Sequence, residues 1–109
     1  MNIEINITEM NAEVHAKLAG EIDAYTAPKV REELFKYGDK QKLHMIVDLS
    51  DVSYMDSTGL GVFVGLFKAL KANDGRLTLT GMSDRLKRLF EITGLADVME
   101  INTEVEGGV

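Results

Sequence analysis

The sequence predicts an α/β domain with a mixed sheet of four or five strands and helices packed on it. Near the N-terminus, apolar and polar residues alternate with the period of half-buried strands. Further along, short apolar runs alternate with segments whose apolar residues recur at helical spacing, which implies parallel strands joined by right-handed crossovers. The predicted order is strand, strand, helix, strand, helix, strand, helix and a last short strand.

The first part of the chain predicts a hairpin followed by a helix. Its alternating apolar residues are Ile3, Ile5, Ile7, Val14, Ala16 and Leu18. Residues 10–13 form the expected hairpin turn, and residues 20–23 form an expected loop. The helix is expected to begin after Thr26, a candidate N-cap, with Pro28 in its first turn, and to end near Gly38.

The middle of the chain predicts a strand, a helix and another strand. Residues 45–49 are a nearly continuous apolar run, which is typical of a strand covered on both faces. The helix is expected over residues 57–72, and the turn signal Asn-Asp-Gly follows at residues 73–75. The alternating residues 76–80 predict the next strand.

The last part of the chain predicts a third helix and an edge strand. Ser83 can cap this helix, and Gly94 is expected to end it. Residues 95–101 are expected to supply a short helical turn and the strand. Residues 3–109 are therefore expected to form a single domain, whose tail frays from about residue 103.

Composition and charge exclude several classes of function. The formal net charge of -6 argues against nucleic-acid binding, which needs a basic surface. The chain has no cysteine, so disulfides and thiolate metal sites are excluded. Its longest apolar stretch, residues 60–70, is interrupted by Lys68 and is far shorter than the ~20 residues that span a bilayer. Because residues 1–10 also lack the pattern of a secretory signal, a soluble cytoplasmic domain is expected.

Residues 52–61 join the end of a buried strand pattern to a strongly apolar helix pattern. The polar and small residues of this junction are Asp56, Ser57, Thr58, Gly59 and Gly61. A helix N-terminus has unpaired backbone N–H groups and a partial positive charge. A hydroxyl at this position is therefore well placed to carry a phosphate, whose oxygens would meet donors there.

The helix that follows the junction is apolar on two sides. Leu60, Phe63, Val64, Phe67 and Leu70 form one face, and Val62, Leu66 and Ala69 form another. The second face is either covered by neighbouring helices or presented to a partner. The two glycines of the first turn indicate a close approach to the backbone, either by packing within the domain or by a partner.

Three segments together resemble the STAS-domain anti-sigma factor antagonists. They are Gly-Glu-Ile-Asp at residues 20–23, Asp-Val-Ser-Tyr-Met-Asp-Ser-Thr-Gly-Leu-Gly at residues 51–61 and Arg-Leu-Phe-Glu-Ile-Thr-Gly-Leu at residues 88–95. The resemblance covers about residues 3–101. Within the family, the chain is most similar to the antagonists of the sigma-B general stress pathway of Gram-positive bacteria, whereas sporulation-pathway antagonists carry two serines in place of Ser57 and Thr58. The implied fold is a small mixed sheet with helices on one side.

The resemblance implies a regulatory protein rather than an enzyme. The unphosphorylated form of such a protein binds an anti-sigma factor that is also a serine kinase, and thereby releases the stress-response sigma factor. Phosphorylation by that kinase abolishes binding, and a PP2C-type phosphatase reverses the modification. The free protein is expected to be monomeric, and no cofactor or metal is implied.

Motif position assigns roles to residues of the junction. Ser57 is the expected phosphoacceptor, and Thr58 is the second choice. The expected partner-binding residues are Asp23, Asp56, Ser57, Thr58, Gly59, Leu60, Gly61 and Val62.

Other interpretations remain open. Asp56 can be simply the N-cap of the helix, and Asp23 can cap a turn instead of contacting a partner. The glycines within residues 59–65 permit weak nucleotide binding, although Val64 stands where a dinucleotide fingerprint has its third glycine. A subunit of a stress-sensing complex is a further alternative with the same fold. A serine hydrolase is disfavoured, because Met55 stands where the nucleophile elbow needs glycine.

Overall fold

The computed structural model describes residues 2–102 and consists of a five-stranded mixed sheet with helices on it. The strands are β1 (Ile3–Met10), β2 (Glu13–Ile22), β3 (His44–Met55), β4 (Arg76–Thr80) and β5 (Glu100–Asn102). The helices are α1 (Ala27–Phe35), α2 (Ser57–Ala72) and α3 (Asp84–Ile92), with a 3-10 turn at Leu95–Asp97. The predicted α/β class and the order of elements are confirmed.

The strands lie side by side in chain order. β1 and β2 form an antiparallel hairpin, whereas β2, β3, β4 and β5 pair in parallel. Each parallel neighbour is reached through one helix, and right-handed crossovers therefore put α1, α2 and α3 on the same face of the sheet. The core lies between that face and the helices, and Val47, Phe63 and Phe90 are fully buried there.

The expectation that residues 45–49 are covered on both faces is wrong. The opposite face of the sheet carries polar side chains around a shallow depression lined by Asn6, Thr8, His15, Lys17, Asp48 and Thr80. Ile46 lies on this face but is only 3% exposed. It is paired with His15 on one side and Thr78 on the other, so neighbouring side chains in the sheet shield it without a second layer.

Two element boundaries also differ from the prediction. Residues 20–22 belong to β2 rather than to a loop, because β3 continues to Met55 and pairs with them. The first helix ends at Phe35, well before Gly38. Gly38 serves a different purpose: a Cβ built there would lie 3.3 Å from the Cβ of Ala69, so it allows a close approach between the turn after α1 and α2.

The second apolar face of α2 is covered by α1 and the turn that follows it. Val62 and Leu66 are 4% and 0% exposed, and a Cβ built at Gly65 would lie 3.1 Å from the ring of Phe35. Of the two interpretations of this face, packing within the domain is therefore the one that holds.

Within residues 2–102, no helix is both long enough and apolar enough to span a membrane. The expected fraying from about residue 103 lies outside the described residues.

Candidate functional site

The site begins where β3 ends and α2 starts. Asp56 has an extended backbone (φ -109°, ψ -171°), and its Oδ1 accepts hydrogen bonds from the backbone N–H groups of Thr58 at 2.9 Å and Gly59 at 3.2 Å. This is N-cap geometry, which stabilises a helix by about 1 kcal/mol. The N-cap interpretation of Asp56 is confirmed.

The first turn of α2 uses most of its own donors. Asp56 donates its N–H to the carbonyl of Ile22 at 3.2 Å, and Leu60 donates to the carbonyl of Asp56 at 3.0 Å. Asp56 Oδ1 accepts hydrogen bonds from two further first-turn N–H groups. Ser57 is therefore the one first-turn residue whose N–H has no partner among the described residues. The sequence predicts several unpaired N–H donors at this helix start, but of these only the N–H of Ser57 is unpaired within residues 2–102.

Ser57 and Thr58 are both exposed in this first turn. Both hydroxyl groups are accessible to another protein, and neither hydroxyl forms a hydrogen bond within residues 2–102. Of their two backbone N–H groups, only that of Thr58 is bonded, to Asp56. Leu60 and Val62 behave differently, because they are only 7% and 4% exposed. Their side chains therefore belong to the core and offer a partner little surface.

The two glycines of the turn have different surroundings. A Cβ built at Gly59 would lie 2.7 Å from Met55 Cγ and 2.8 Å from Ile22 Cγ2, so Gly59 allows α2 to pack against the ends of β2 and β3. A Cβ built at Gly61 would meet nothing within 4 Å. Packing within the domain accounts for Gly59 without a nucleotide, whereas Gly61 leaves an exposed stretch of backbone open to a partner.

Asp23 organises the turn between β2 and α1. Its Oδ1 accepts hydrogen bonds from the backbone N–H groups of Tyr25 at 2.9 Å and Thr26 at 3.1 Å. The hydroxyl of Thr26 accepts from the N–H of Asp23 at 2.9 Å and donates to the carbonyl of Glu21 at 2.7 Å. Asp23 therefore caps the turn, and Thr26, although it stands at the N-cap position of α1, does not cap that helix with its side chain.

The Asp23 carboxylate is buried and ionised. Burial raises its pKa, but the hydrogen bonds from Thr26 and Tyr25 outweigh this, and the pKa lies below the usual value for aspartate. The residue is 6% exposed. Its second oxygen, Oδ2, has no hydrogen-bond partner among residues 2–102, which is uncommon for a buried carboxylate.

Asp23 and Asp56 come together at one groove, as the sequence implied for two residues of the same surface. The groove has a volume of about 370 Å³, and its lining residues are Glu21, Asp23, Ala24, Tyr25, Tyr54 and Asp56. Tyr25 and Tyr54 are 85% and 46% exposed. Sequence reasoning did not single out either tyrosine, although both lie next to aspartates that it did.

The arrangement of histidines and acids does not support hydrolysis or metal binding. His15 and His44 contact Glu13 at 3.0 and 3.8 Å, near the start of β3, whereas Ser57 follows the end of that 12-residue strand. At roughly 3.3 Å per residue, the strand separates Ser57 from both imidazoles by far more than hydrogen-bond reach. In the part of the chain that the structure describes, no three His, Cys, Asp or Glu side chains are placed to share a metal ion.

Comparison with known proteins agrees with this fold. The family model described as STAS domain matches residues 3–108. The anti-sigma-B factor antagonist of Listeria monocytogenes is 57% identical over 108 residues, which cover 98% of this chain and 94% of the relative. The protein of the same name from Bacillus subtilis is 49% identical over 109 residues, with 100% and 99% coverage.

Solved structures show the same architecture. An anti-sigma factor antagonist from Mycobacterium paratuberculosis superposes with a TM-score of 0.85 at 20% identity, covering 96% of this chain and 89% of that one. The Bacillus cell fate determinant SpoIIAA in its phosphorylated form gives 0.74 at 26% identity, with 94% and 95% coverage. The chain therefore belongs to the STAS-domain family, among its anti-sigma-B factor antagonists. The resemblance drawn from the three sequence segments is confirmed.

Proposed function

We propose that this chain is an anti-sigma factor antagonist that acts by reversible docking rather than by catalysis. Its unphosphorylated form binds an anti-sigma factor that is also a serine kinase, and this binding releases a stress-response sigma factor in the cytoplasm. The proposal is supported by the names and the 49–57% identity of the relatives. It is also supported by two exposed hydroxyls at the start of α2, with no histidine near them.

Ser57 is the proposed phosphoacceptor, and Thr58 is the second candidate. Both hydroxyls are exposed, so access alone does not separate them. The backbone does provide a distinction, because the N–H of Thr58 is already bound to Asp56 while the N–H of Ser57 has no partner within residues 2–102. A phosphate on Ser57 can therefore accept a hydrogen bond from its own residue, and this favours Ser57.

Phosphorylation is proposed to block docking without unfolding the domain. A phosphate adds roughly -1.5 to -2 charge. On Ser57 it would lie beside the carboxylate of Asp56, which already accepts hydrogen bonds from two first-turn N–H groups. In the free protein water hydrates the phosphate, so the proximity of these two negative groups costs little. In the complex the partner would strip water from the phosphate, and only the N–H of Ser57 would replace the lost hydrogen bonds. Each 1.4 kcal/mol of this desolvation cost is about a tenfold loss of affinity. A PP2C-type phosphatase restores the docking form.

The docking surface is proposed to centre on the exposed part of the junction. Ser57, Thr58 and the open backbone at Gly61 form it, together with Asp23 and Asp56 at the adjoining groove. Gly59, Leu60 and Val62 contribute from inside the domain by fixing how α2 starts. This narrows the set of residues expected from the family motif.

Mass spectrometry after incubation with the cognate kinase and ATP tests the acceptor directly. We expect Ser57→Ala to abolish modification and Thr58→Ala to retain it, with calorimetry of the unmodified proteins as a check that both variants still bind the kinase. Loss of modification in Thr58→Ala alone would transfer the acceptor role to Thr58. Absence of any binding between the unmodified wild-type chain and the kinase would overturn the proposed function itself.

A further inference from the structure

The surroundings of Ser57 carry negative charge that no basic side chain neutralises. Glu21, Asp23 and Asp56 line one groove of about 370 Å³, and no lysine or arginine is among its lining residues. Within residues 2–102, none of these three acids forms an ion pair. Ser57 follows Asp56 directly and is exposed. A phosphate on Ser57 would therefore add a charge of about -1.5 to -2 beside acids that have no counter-charge.

Each of the two aspartates has one oxygen without a partner. Oδ1 of Asp56 accepts hydrogen bonds from two N–H groups of α2, whereas its Oδ2 accepts none within residues 2–102. Oδ1 of Asp23 accepts from two N–H groups of the next turn, and its Oδ2 has no partner in the described part of the chain. Asp23 lines the groove and is only 6% exposed. An unpaired oxygen on so buried a carboxylate is uncommon, and a cation at the groove would compensate its charge.

We propose that the phosphorylated chain binds Mg²⁺ here, through the phosphate on Ser57 and the carboxylate of Asp56. Mg²⁺ takes oxygen ligands, keeps several of its waters and is commonly held in proteins by one or two carboxylates together with phosphate oxygens. Asp56 supplies the carboxylate, and Glu21 and Asp23 attract the cation through their charge. This inference rests on the proposed function, since it needs Ser57 to be the phosphoacceptor.

The phosphate is the essential ligand of this site. Within residues 2–102, no three His, Cys, Asp or Glu side chains are placed to share a metal ion, so the unmodified chain is expected not to bind Mg²⁺. A phosphate contributes three acceptor oxygens at one position. The cation site therefore appears when Ser57 is modified and disappears when the phosphate is removed.

A bound Mg²⁺ ion would strengthen the block on docking. It offsets the repulsion between the phosphate and Asp56, so both groups can remain at the start of α2 without disturbing the helix. Mg²⁺ gives up its waters reluctantly. A partner that approaches Ser57 would therefore have to remove water from the cation as well as from the phosphate, and the modified surface would stay hydrated and undocked.

The first test uses the full chain with phosphoserine installed at position 57 during translation, so that no kinase is needed. MgCl₂ is titrated in KCl at about 150 mM, which screens weak surface charge, and binding is followed by ³¹P NMR and calorimetry. We expect the chain to bind Mg²⁺ at least about tenfold more tightly than a phosphorylated peptide of residues 54–61, which lacks Glu21 and Asp23. Equal affinities of chain and peptide, or saturable binding by the unmodified chain, would overturn the proposal.

The second test compares variants of the same phosphorylated chain. Asp56→Asn keeps an oxygen that can cap α2 but removes the charge and the ligand, and we expect it to weaken Mg²⁺ binding about tenfold or more. Asp23→Asn removes only a neighbouring charge and is expected to weaken binding about 2- to 5-fold. Asp84→Asn is the matched control, because Asp84 is exposed in the first turn of α3 and does not line the groove. Similar affinities of Asp56→Asn and Asp84→Asn would contradict the site.

Failure of the cation site can be told apart from failure of the proposed function. If the chain with phosphoserine at position 57 no longer binds the anti-sigma factor but binds Mg²⁺ no better than the peptide does, the cation site is wrong while the function stands. If that chain binds the anti-sigma factor as tightly as the unmodified chain does, the proposed switch fails, whatever the Mg²⁺ titration shows.

Discussion

Adding one methyl group at Gly61 is expected to stabilise the domain, whereas the same change at Gly59 is expected to destabilise it. Both glycines lie in the N-terminal part of α2, where glycine costs about 0.5–1 kcal/mol relative to alanine. At Gly61 the new Cβ would have nothing within 4 Å, so the helix gains this amount with no steric penalty.

At Gly59 the steric term dominates. The new Cβ would lie 2.7 Å from Met55 Cγ, 2.8 Å from Ile22 Cγ2 and 3.1 Å from the carbonyl oxygen of Ile22. Two of these neighbours are core side chains with little freedom to move, since Ile22 is 0% and Met55 is 6% exposed. Overpacking of this kind costs about 1–3 kcal/mol, which exceeds the gain in helix propensity.

Urea denaturation of the three proteins provides the assay. With a slope of about 1–3 kcal/mol per molar urea, Gly61→Ala should raise the midpoint by roughly 0.2 to 1 M and Gly59→Ala should lower it. Gly61→Ala should also weaken binding of the anti-sigma factor, because it places a methyl group where we propose that a partner approaches the backbone. A lower midpoint for Gly61→Ala, or a higher one for Gly59→Ala, would refute the described start of α2.

Two further predictions concern the charged residues of the fold. Asp56→Ala is expected to lower the free energy of unfolding by about 1–2 kcal/mol through loss of the N-cap, whereas Asp56→Asn should keep most of it; similar losses for both variants would argue against capping. The pKa of Glu100 is lowered because it accepts hydrogen bonds from Arg76, one of them at 3.0 Å from Nε. A carboxylate with a lowered folded pKa contributes stability that is present above its unfolded pKa and is lost as the pH falls through its folded pKa. Glu100→Gln should therefore be less stable than the wild type at neutral pH and converge with it in acid, and a constant difference across that range would count against this ion pair.

Much of the fold was predictable because its signals are local. The hairpin follows from strict alternation, and the start of α2 follows from Asp56, which is a strong N-cap residue ahead of a long apolar helix pattern. The ends of β2 and β3 were not predictable. Residues 50–54 carry mostly polar side chains, and they form a strand because residues 19–22 pair with them from a distant part of the chain.

The geometry of the candidate site was only partly predictable from the sequence. Ser57 and Thr58 are exposed, as a modification site requires. Local sequence patterns could not predict which N–H groups at the start of α2 are hydrogen-bonded. Those bonds depend on the carboxylate of Asp56 and on the carbonyl of Ile22. The meeting of Tyr25 with Tyr54 likewise depends on how the turn after β2 packs beside the end of β3.

The most direct test of a switch operated by phosphorylation is calorimetric titration of the anti-sigma factor with this chain before and after stoichiometric phosphorylation of Ser57. We expect tight binding by the unmodified form and a loss of about a hundredfold or more after modification, with identical near-UV circular dichroism and equal urea midpoints. Equal affinities would contradict a switch based on the phosphate. A phosphorylated form that loses affinity because it unfolds would contradict the local mechanism.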